Sequence, residues 1–251
     1  MKVNDVLCFI DSTAPFSTAE KWDNSGLLVG DKNADVTRAL VCLDVTKREI
    51  DYAVSVGAEL IVSHHPVIFR PLSAVCANSV VYSAVKNGIS IISAHTNLDK
   101  AAGGVNDALC EALFDEFSKE DISVAEGFLN TALLPAEMSA GELAEHIRSR
   151  LGGAVSYCDA DKPVKKVALC SGSGADFIDD ALMLGCDAFI TGEASYHKFL
   201  DAKASGISLF AAGHFETEIP VVNKLTLLLN EHFNCTAFEA FICDNAVIME
   251  K

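Results

Sequence analysis

The two halves of this chain repeat one another, and that repeat limits the fold more than any other feature. Ile50-Asp-Tyr-Ala-Val-Ser-Val-Gly-Ala-Glu-Leu-Ile-Val-Ser63 matches Ile178-Asp-Asp-Ala-Leu-Met-Leu-Gly-Cys-Asp-Ala-Phe-Ile-Thr191 without a gap, at a shift of 128 positions. The same shift sets Val36 on Val164, Arg38 on Lys166 and Cys42 on Cys170. Gly88-Ile-Ser-Ile-Ile-Ser-Ala94 then matches Gly206-Ile-Ser-Leu-Phe-Ala-Ala212 at a shift of 118, so the second half carries a connection ten residues shorter. An ungapped span followed by a second match in the same order makes coincidence the weaker account.

Each half reads as strand, helix, strand, helix, strand. Arg38 to Leu43 and Lys166 to Cys170 are short apolar runs. Glu49 to Val56 and Phe177 to Leu184 carry apolar residues at helical spacing, with Gly57 and Gly185 at the C-cap positions. Continuous apolar strands joined by helices predict mostly parallel sheets covered by helices. The expectation is therefore an α/β chain of two similar three-layer lobes, about 1–123 and 124–251. Ser139-Ala-Gly-Glu142 opens a capping box for a helix to Leu151, and Pro220 to Leu229 reads as an apolar helix with proline in its first turn. The stretch from Val124 to Glu137 reads as a crossover between the halves.

A chain of 251 residues with half of them hydrophobic can bury a large core. Its net charge of −16 repels phosphate backbones, which argues against nucleic acid as a partner. The nine cysteines include no CxxC pair and fall mostly inside apolar runs, as reduced thiols would in a cytoplasmic protein. The first residues, Met1 to Ile10, are too short in apolar content for a signal peptide, and no apolar stretch is long enough to span a bilayer.

Four apolar runs end in metal-ligating chemistry. They lead into His64-His65, His95-Thr-Asn-Leu-Asp99, Gly192-Glu-Ala-Ser-Tyr-His197 and Gly213-His-Phe-Glu-Thr-Glu218. The C-terminal edge of such strands is where open α/β sheets bind ligands. Neutral imidazole with carboxylate suits a divalent transition metal. Adjacent His64 and His65 diverge in a strand-end loop, which fits a two-metal centre; a structural or surface pair is the alternative. His214 and Glu218 share one face if Gly213 starts a helix, although such pairs also occur on ordinary solvated faces. Glu216 points elsewhere on that helix and reads as solvated. His95 and His197 are either cleft groups for substrate or proton transfer, or imidazoles tied to carboxylates or backbone. His146 and His232 read as surface residues. Ser171-Gly-Ser-Gly174 lacks the full dinucleotide fingerprint, so it is a tight turn more readily than a phosphate cradle. If the halves fold alike, His64, His65 and Asp99 from one and His214 and Glu218 from the other can face a shared cleft.

At this point the motifs resemble a known family, the Nif3-like dinuclear-metal proteins, described in bacteria as homologues of a type 2 GTP cyclohydrolase I. The resemblance covers essentially the whole chain. It is carried by Trp22-Asp-Asn-Ser-Gly-Leu-Leu-Val-Gly30, Ser63-His-His-Pro-Val-Ile-Phe69, His95-Thr-Asn-Leu-Asp99 with Gly103-Gly-Val-Asn-Asp107, Thr191-Gly-Glu193 and Gly213-His-Phe-Glu-Thr-Glu218. It implies metal ligands at His64, His65, Asp99, His214 and Glu218, with Glu218 bridging two divalent ions (Zn, Fe, Mn or Ni) at the lobe interface. It also implies a homo-hexameric ring whose metal sites face an inner cavity, and the compact form of the family without an inserted domain. Two functions fit: a metal-dependent hydrolase acting on a nucleotide-like, phosphoester or amide small molecule, with GTP cyclohydrolase-like activity among the options, or a non-catalytic metal-binding, scaffold or regulatory protein.

Overall fold

The computed structural model describes residues 1–114, 122–124, 127–234 and 236–243. The chain divides into two compact units, Met1–Gly104 with Val221–Cys243, and Val105–Pro220. The first unit therefore takes in a late segment of the chain that the repeat alone would group with the second half.

In the first unit the chain runs through α1 (Val3–Thr13), β1 (Gly26–Val29), β2 (Arg38–Cys42), α2 (Lys47–Val56), β3 (Leu60–Ser63), α3 (Val80–Lys86), β4 (Ser90–Ser93) and α4 (Thr96–Lys100). The second unit holds α5 (Val105–Phe114), β5 (Ile122–Val124), β6 (Asn130–Met138), α6 (Ala140–Leu151), β7 (Ser156–Cys158), β8 (Val164–Cys170), α7 (Ile178–Met183), β9 (Ala188–Thr191), α8 (Tyr196–Ser205), β10 (Ser208–Ala211) and α9 (His214–Glu218). Helix α10 (Pro220–His232) and β11 (Ala237–Ala240) return the chain to the first.

The first sheet has the order β1-β4-β3-β2-β11. Its four strands from β4 to β11 are parallel and only the edge strand β1 is antiparallel. The second has the order β5-β6-β8-β9-β10-β7. Here only β8, β9 and β10 run parallel; β5, β6 and β7 pair antiparallel. The parallel core in each unit is the duplicated part, and the antiparallel strands flank it.

The repeat maps onto the strands residue for residue. A shift of 128 carries β3 onto β9, and a shift of 118 carries β4 onto β10. Helix α2 ends on Gly57 in the left-handed conformation, φ 70°, and Gly185 after α7 has φ 69°. The shorter connection lies between β9 and α8, where Gly192–Ser195 replaces the long loop from His64 to Ser79.

Burial on both sheet faces explains the continuous apolar runs. In the second unit Val167, Leu169, Ala188, Ile190 and Phe210 pack with α5 and α6. The alternate residues Ala168, Cys170, Phe189 and Leu209 pack with α7 and α8. In the first, Leu40, Cys42, Ile61 and Ile91 pack with α2 and α3. Their neighbours Ala39, Val41, Leu60, Val62 and Ile92 are equally buried.

Some sequence expectations change. The stretch read as a crossover contains β6, whose first residues Asn130–Ala132 are buried. Pro135 cannot donate to the ladder, and the pairing of β6 with β8 slips between Leu133 and Met138 around it. That interruption masks the strand in the sequence. His146 is half-buried: its Nε2 lies 2.7 Å from the Leu113 carbonyl and its ring stacks on Phe114. His232 is exposed and stacks on Phe9. The capping box of α6 forms as read, with Ser139 accepting from the Glu142 amide and the Glu142 carboxylate accepting from the Ser139 amide. Cys42, Cys110, Cys170 and Cys186 are buried, while Cys8 and Cys76 are exposed. No helix among the described residues is long and apolar enough to cross a membrane.

Phe189 is fully buried in the middle of β9. Phe189→Ala should lower unfolding stability by about 3–5 kcal/mol. Met183→Ala, at a side chain 78% exposed, should change it by less than about 0.5 kcal/mol. Urea unfolding of both variants checks the pair.

Candidate functional site

In the first unit, the chain keeps following β2 after β3 ends. The His64 amide donates to the Cys42 carbonyl at 3.1 Å and the His65 amide to Leu43 at 2.9 Å. These bonds fix the direction of both side chains. The His64 ring is 2% exposed, with Nδ1 2.9 Å from the Ala94 carbonyl and Nε2 3.5 Å from Asp99 Oδ1. His65 holds Nδ1 2.8 Å from Asp44 Oδ1. His95, the N-cap of α4, holds Nδ1 2.8 Å from Asp23 Oδ1. The three rings form a triangle with centroid separations of 5.0, 5.2 and 5.6 Å. Each offers a ring nitrogen within 4.8 Å of the others.

Asp23 organises this corner. Its side chain is fully buried, and it accepts from His95 and from both the amide and hydroxyl of Thr96, at 3.0 and 2.6 Å. Burial alone would raise its pKa. The hydrogen bonds from His95 and Thr96, with the charge of His95, outweigh that and hold the carboxyl well below the usual carboxylate range.

In the second unit, Gly213 caps α9 with φ 97°, and His214 and Glu218 lie one turn apart on that helix. His214 Nε2 sits 3.1 Å from Glu218 Oε2, and Glu218 is 5% exposed. On its other side, His214 Nδ1 lies 3.3 Å from Glu193 Oε2, which also accepts from the Ser173 hydroxyl at 2.6 Å. The Ser173 hydrogen bond is the largest influence lowering the Glu193 pKa; burial opposes it and His214 adds to it.

The Ser171–Gly174 loop is a tight turn. Its amides at Ser171, Gly172 and Gly174 donate to Asn106 Oδ1, Thr217 Oγ1 and Thr191 Oγ1. Those donors are spent inside the unit, which removes the phosphate-cradle reading. Gly172 has φ 58°, and a Cβ there would lie 2.2 Å from Glu218 Oε1. Only glycine lets the turn approach this carboxylate.

A cavity of about 630 Å³ opens beside His214, bounded among others by Ser173, Glu193, Lys198, Phe215 and Glu216. Glu216 is half-buried rather than solvated, because its side chain folds back over Gly213 and Gly153. Lys198 pairs with Asp176 at 2.8 Å. His197 lies exposed in the first turn of α8, edge-on to Tyr196.

Sequence reasoning singled out the imidazoles and missed their supports. Asp44 follows the apolar run of β2 just as His64 follows β3, so the same strand-end rule would have found it. Asp23 and Glu193 stand inside quoted motifs but carry no local pattern of their own.

The match to the family model Duf34/NIF3 (NGG1p interacting factor 3) spans residues 1–246. This chain belongs to that family. It is 38% identical over 244 residues to a GTP cyclohydrolase 1 type 2 homolog of Clostridium perfringens, covering 93% of each protein. A protein of the same description from Clostridium acetobutylicum is 36% identical, over 88% of this chain and 87% of its own. Among solved structures, a hypothetical protein of Staphylococcus aureus superposes with a TM-score of 0.92 at 27% identity, covering 100% of this chain and 99% of that one. The family fold is thus present throughout, with the strand ends of each unit bearing the groups described.

Asp23→Asn should remove charge-assisted hydrogen bonds and lower stability near pH 7 by about 1–3 kcal/mol. The sign with pH follows from the lowered pKa. The native state holds Asp23 ionised, so its contribution is complete above the unfolded pKa and drains away as pH falls toward the folded one. The variant should therefore lose less stability than the parent below about pH 4. Urea midpoints taken from pH 7 to pH 2.5 measure both effects.

Proposed function

We propose that this protein binds two divalent transition-metal ions through His64, His65, Asp99, His214 and Glu218, with Glu218 shared, and acts as a cytoplasmic metal-dependent hydrolase. Its substrate on this reading is a nucleotide-like molecule, a phosphoester or an amide, and its working form is a homo-hexamer.

The observation that carries the reading is the second hydrogen bond of each imidazole. The Ala94 carbonyl and the Asp44 carboxylate only accept, so His64 and His65 hold their protons on Nδ1, which makes Nε2 the nitrogen suited to ligate a metal. Glu193 stands in the same relation to His214. Such outer carboxylates and carbonyls orient metal-binding imidazoles and raise their basicity. Two carboxylates, Asp99 and Glu218, complete a nitrogen and oxygen donor set with no thiolate, which suits Zn, Fe, Mn or Ni. Bound ions would supply Lewis acidity and offset the chain's charge of −16 for an anionic substrate.

The chain's own residues supply the rest. Asp23 fixes the His95 tautomer, leaving Nε2 to take up or release a proton at the reacting group. The cavity beside His214 offers hydroxyls, the Asp176, Glu193 and Glu216 carboxylates and the Lys198 ammonium group for orienting a small polar substrate. His197, exposed in the first turn of α8, is the second imidazole proposed for substrate contact or proton transfer.

Elemental analysis of gently purified protein should return two equivalents of metal per chain. His64→Ala and the milder His65→Gln should lose most of that metal and the hydrolytic turnover found in a broad substrate screen. Full turnover in metal-free protein would overturn the reading. Metal retention without turnover on any substrate class would reduce it to a binding protein.

Gly172→Ala tests the donor set without removing a ligand. Its methyl group would displace the Glu218 carboxylate, so metal affinity should fall about 10–100-fold, as it does when supporting groups are lost. A competition titration with a chelating dye measures it.

A further inference from the structure

The imidazole corner of the first unit is bordered by large apolar side chains left in solvent. Trp22 is 60% exposed and Phe69 45% exposed. Their ring centroids are 5.9 Å apart with planes at 60°, so the two rings are not stacked in parallel on each other. Both meet His95 edge-to-face, at 6.3 and 6.2 Å, with interplanar angles of 75° and 82°. The three rings form a corner in which Trp22 and Phe69 keep much of their surface exposed and no two rings stack in parallel.

This corner is held rigidly. Trp22 sits in a turn closed by the Asp23 amide on the Glu20 carbonyl, and the buried Asp23 side chain ties it to His95 and Thr96. Glu20 binds Lys100 at 2.6 Å, and its amide donates to Thr96 Oγ1. Asn24 Nδ2 donates to the Ile68 carbonyl, linking the Trp22 turn to the Phe69 loop. The two aromatic side chains are thus held partly exposed at fixed positions, beside groups suited to proton transfer.

We infer that Trp22 and Phe69 form a stacking subsite for a planar aromatic or heteroaromatic ring of the substrate, next to His95. The inference rests on the hydrolase reading for the identity of the site and narrows its substrates to ring-bearing molecules. Flat rings stack on indole and phenyl faces at a small entropic loss, and a fixed pair of faces selects a ring over an aliphatic group of equal size. Ring binding here needs no metal, which separates its test from that of the metal proposal.

Trp22 is the sole tryptophan of the chain, so its fluorescence reports this corner alone. The intact, metal-stripped protein would be titrated with purine, pyrimidine, pyridine and quinoline, with cyclohexanecarboxylate and choline as controls. Saturable quenching by at least one flat ring is expected, with both controls inert. Phe69→Leu keeps an apolar side chain at a half-exposed position, so folding is not at risk. It should weaken that ring's binding about ten-fold, and metal-loaded Phe69→Leu should keep the parent's metal content.

Three results would overturn the inference. One is no saturable change with any flat ring, or equal binding of the aliphatic acid. Another is a response to choline alone, which would make the corner a cation site. The third is emission that depends only on protein concentration, which would mean that a second copy covers Trp22. Quenching that persists in protein unable to bind metal would leave the ring subsite standing while the metal proposal fell.

Discussion

Parallel pairing of short strands buried along their whole length is the constraint on which the rest of this protein depends. Residues of β3, β4, β9 and β10 have almost no contact with water. Such strands cannot carry chemistry along their length, because an unpaired polar group there costs too much. The chemistry is therefore pushed to the strand ends, where the backbone leaves the sheet and side chains can diverge. The amides of His64 and His65 still bond to the neighbouring strand, so the ends are as well fixed as the sheet itself.

Duplication supplied two copies of that edge, and the copies diverged in what they hold. The shift of 128 places Glu193 where the first unit has His65, and Gly172 where it has Asp44. The shift of 118 places His214 where it has Thr96. In the first unit, imidazoles at the strand ends are backed by a backbone carbonyl (His64) or by carboxylates from neighbouring loops (His65 and His95). In the second, a carboxylate at the strand end backs an imidazole on the following helix. Both arrangements hold an imidazole by its Nδ1, reached by different residues at equivalent places.

Much of this was legible in the sequence because periodicity and repetition are local signals. The strands of the repeat fall where the apolar runs stand, and Gly57 and Gly185 mark helix ends as read. The antiparallel flank was not legible: Pro135 breaks the alternation of β6, and β7 is three residues long. The imidazoles were found by their position after apolar runs. Asp23 was not, because its role comes from contacts more than 70 residues away, with His95 and Thr96. His146 was misplaced for the same reason, since its partner carbonyl lies 33 residues away on α5.

The central claim is that imidazoles locked by their Nδ1 bonds, together with Asp99 and Glu218, are metal ligands. Anomalous diffraction at the zinc edge, from crystals of the full chain soaked in zinc, tests it most directly. Two strong peaks are expected, each within bonding distance of Nε2 of His64, His65 or His214. Crystals with zinc bound elsewhere on the acidic surface, and no anomalous density beside these imidazoles, would contradict it.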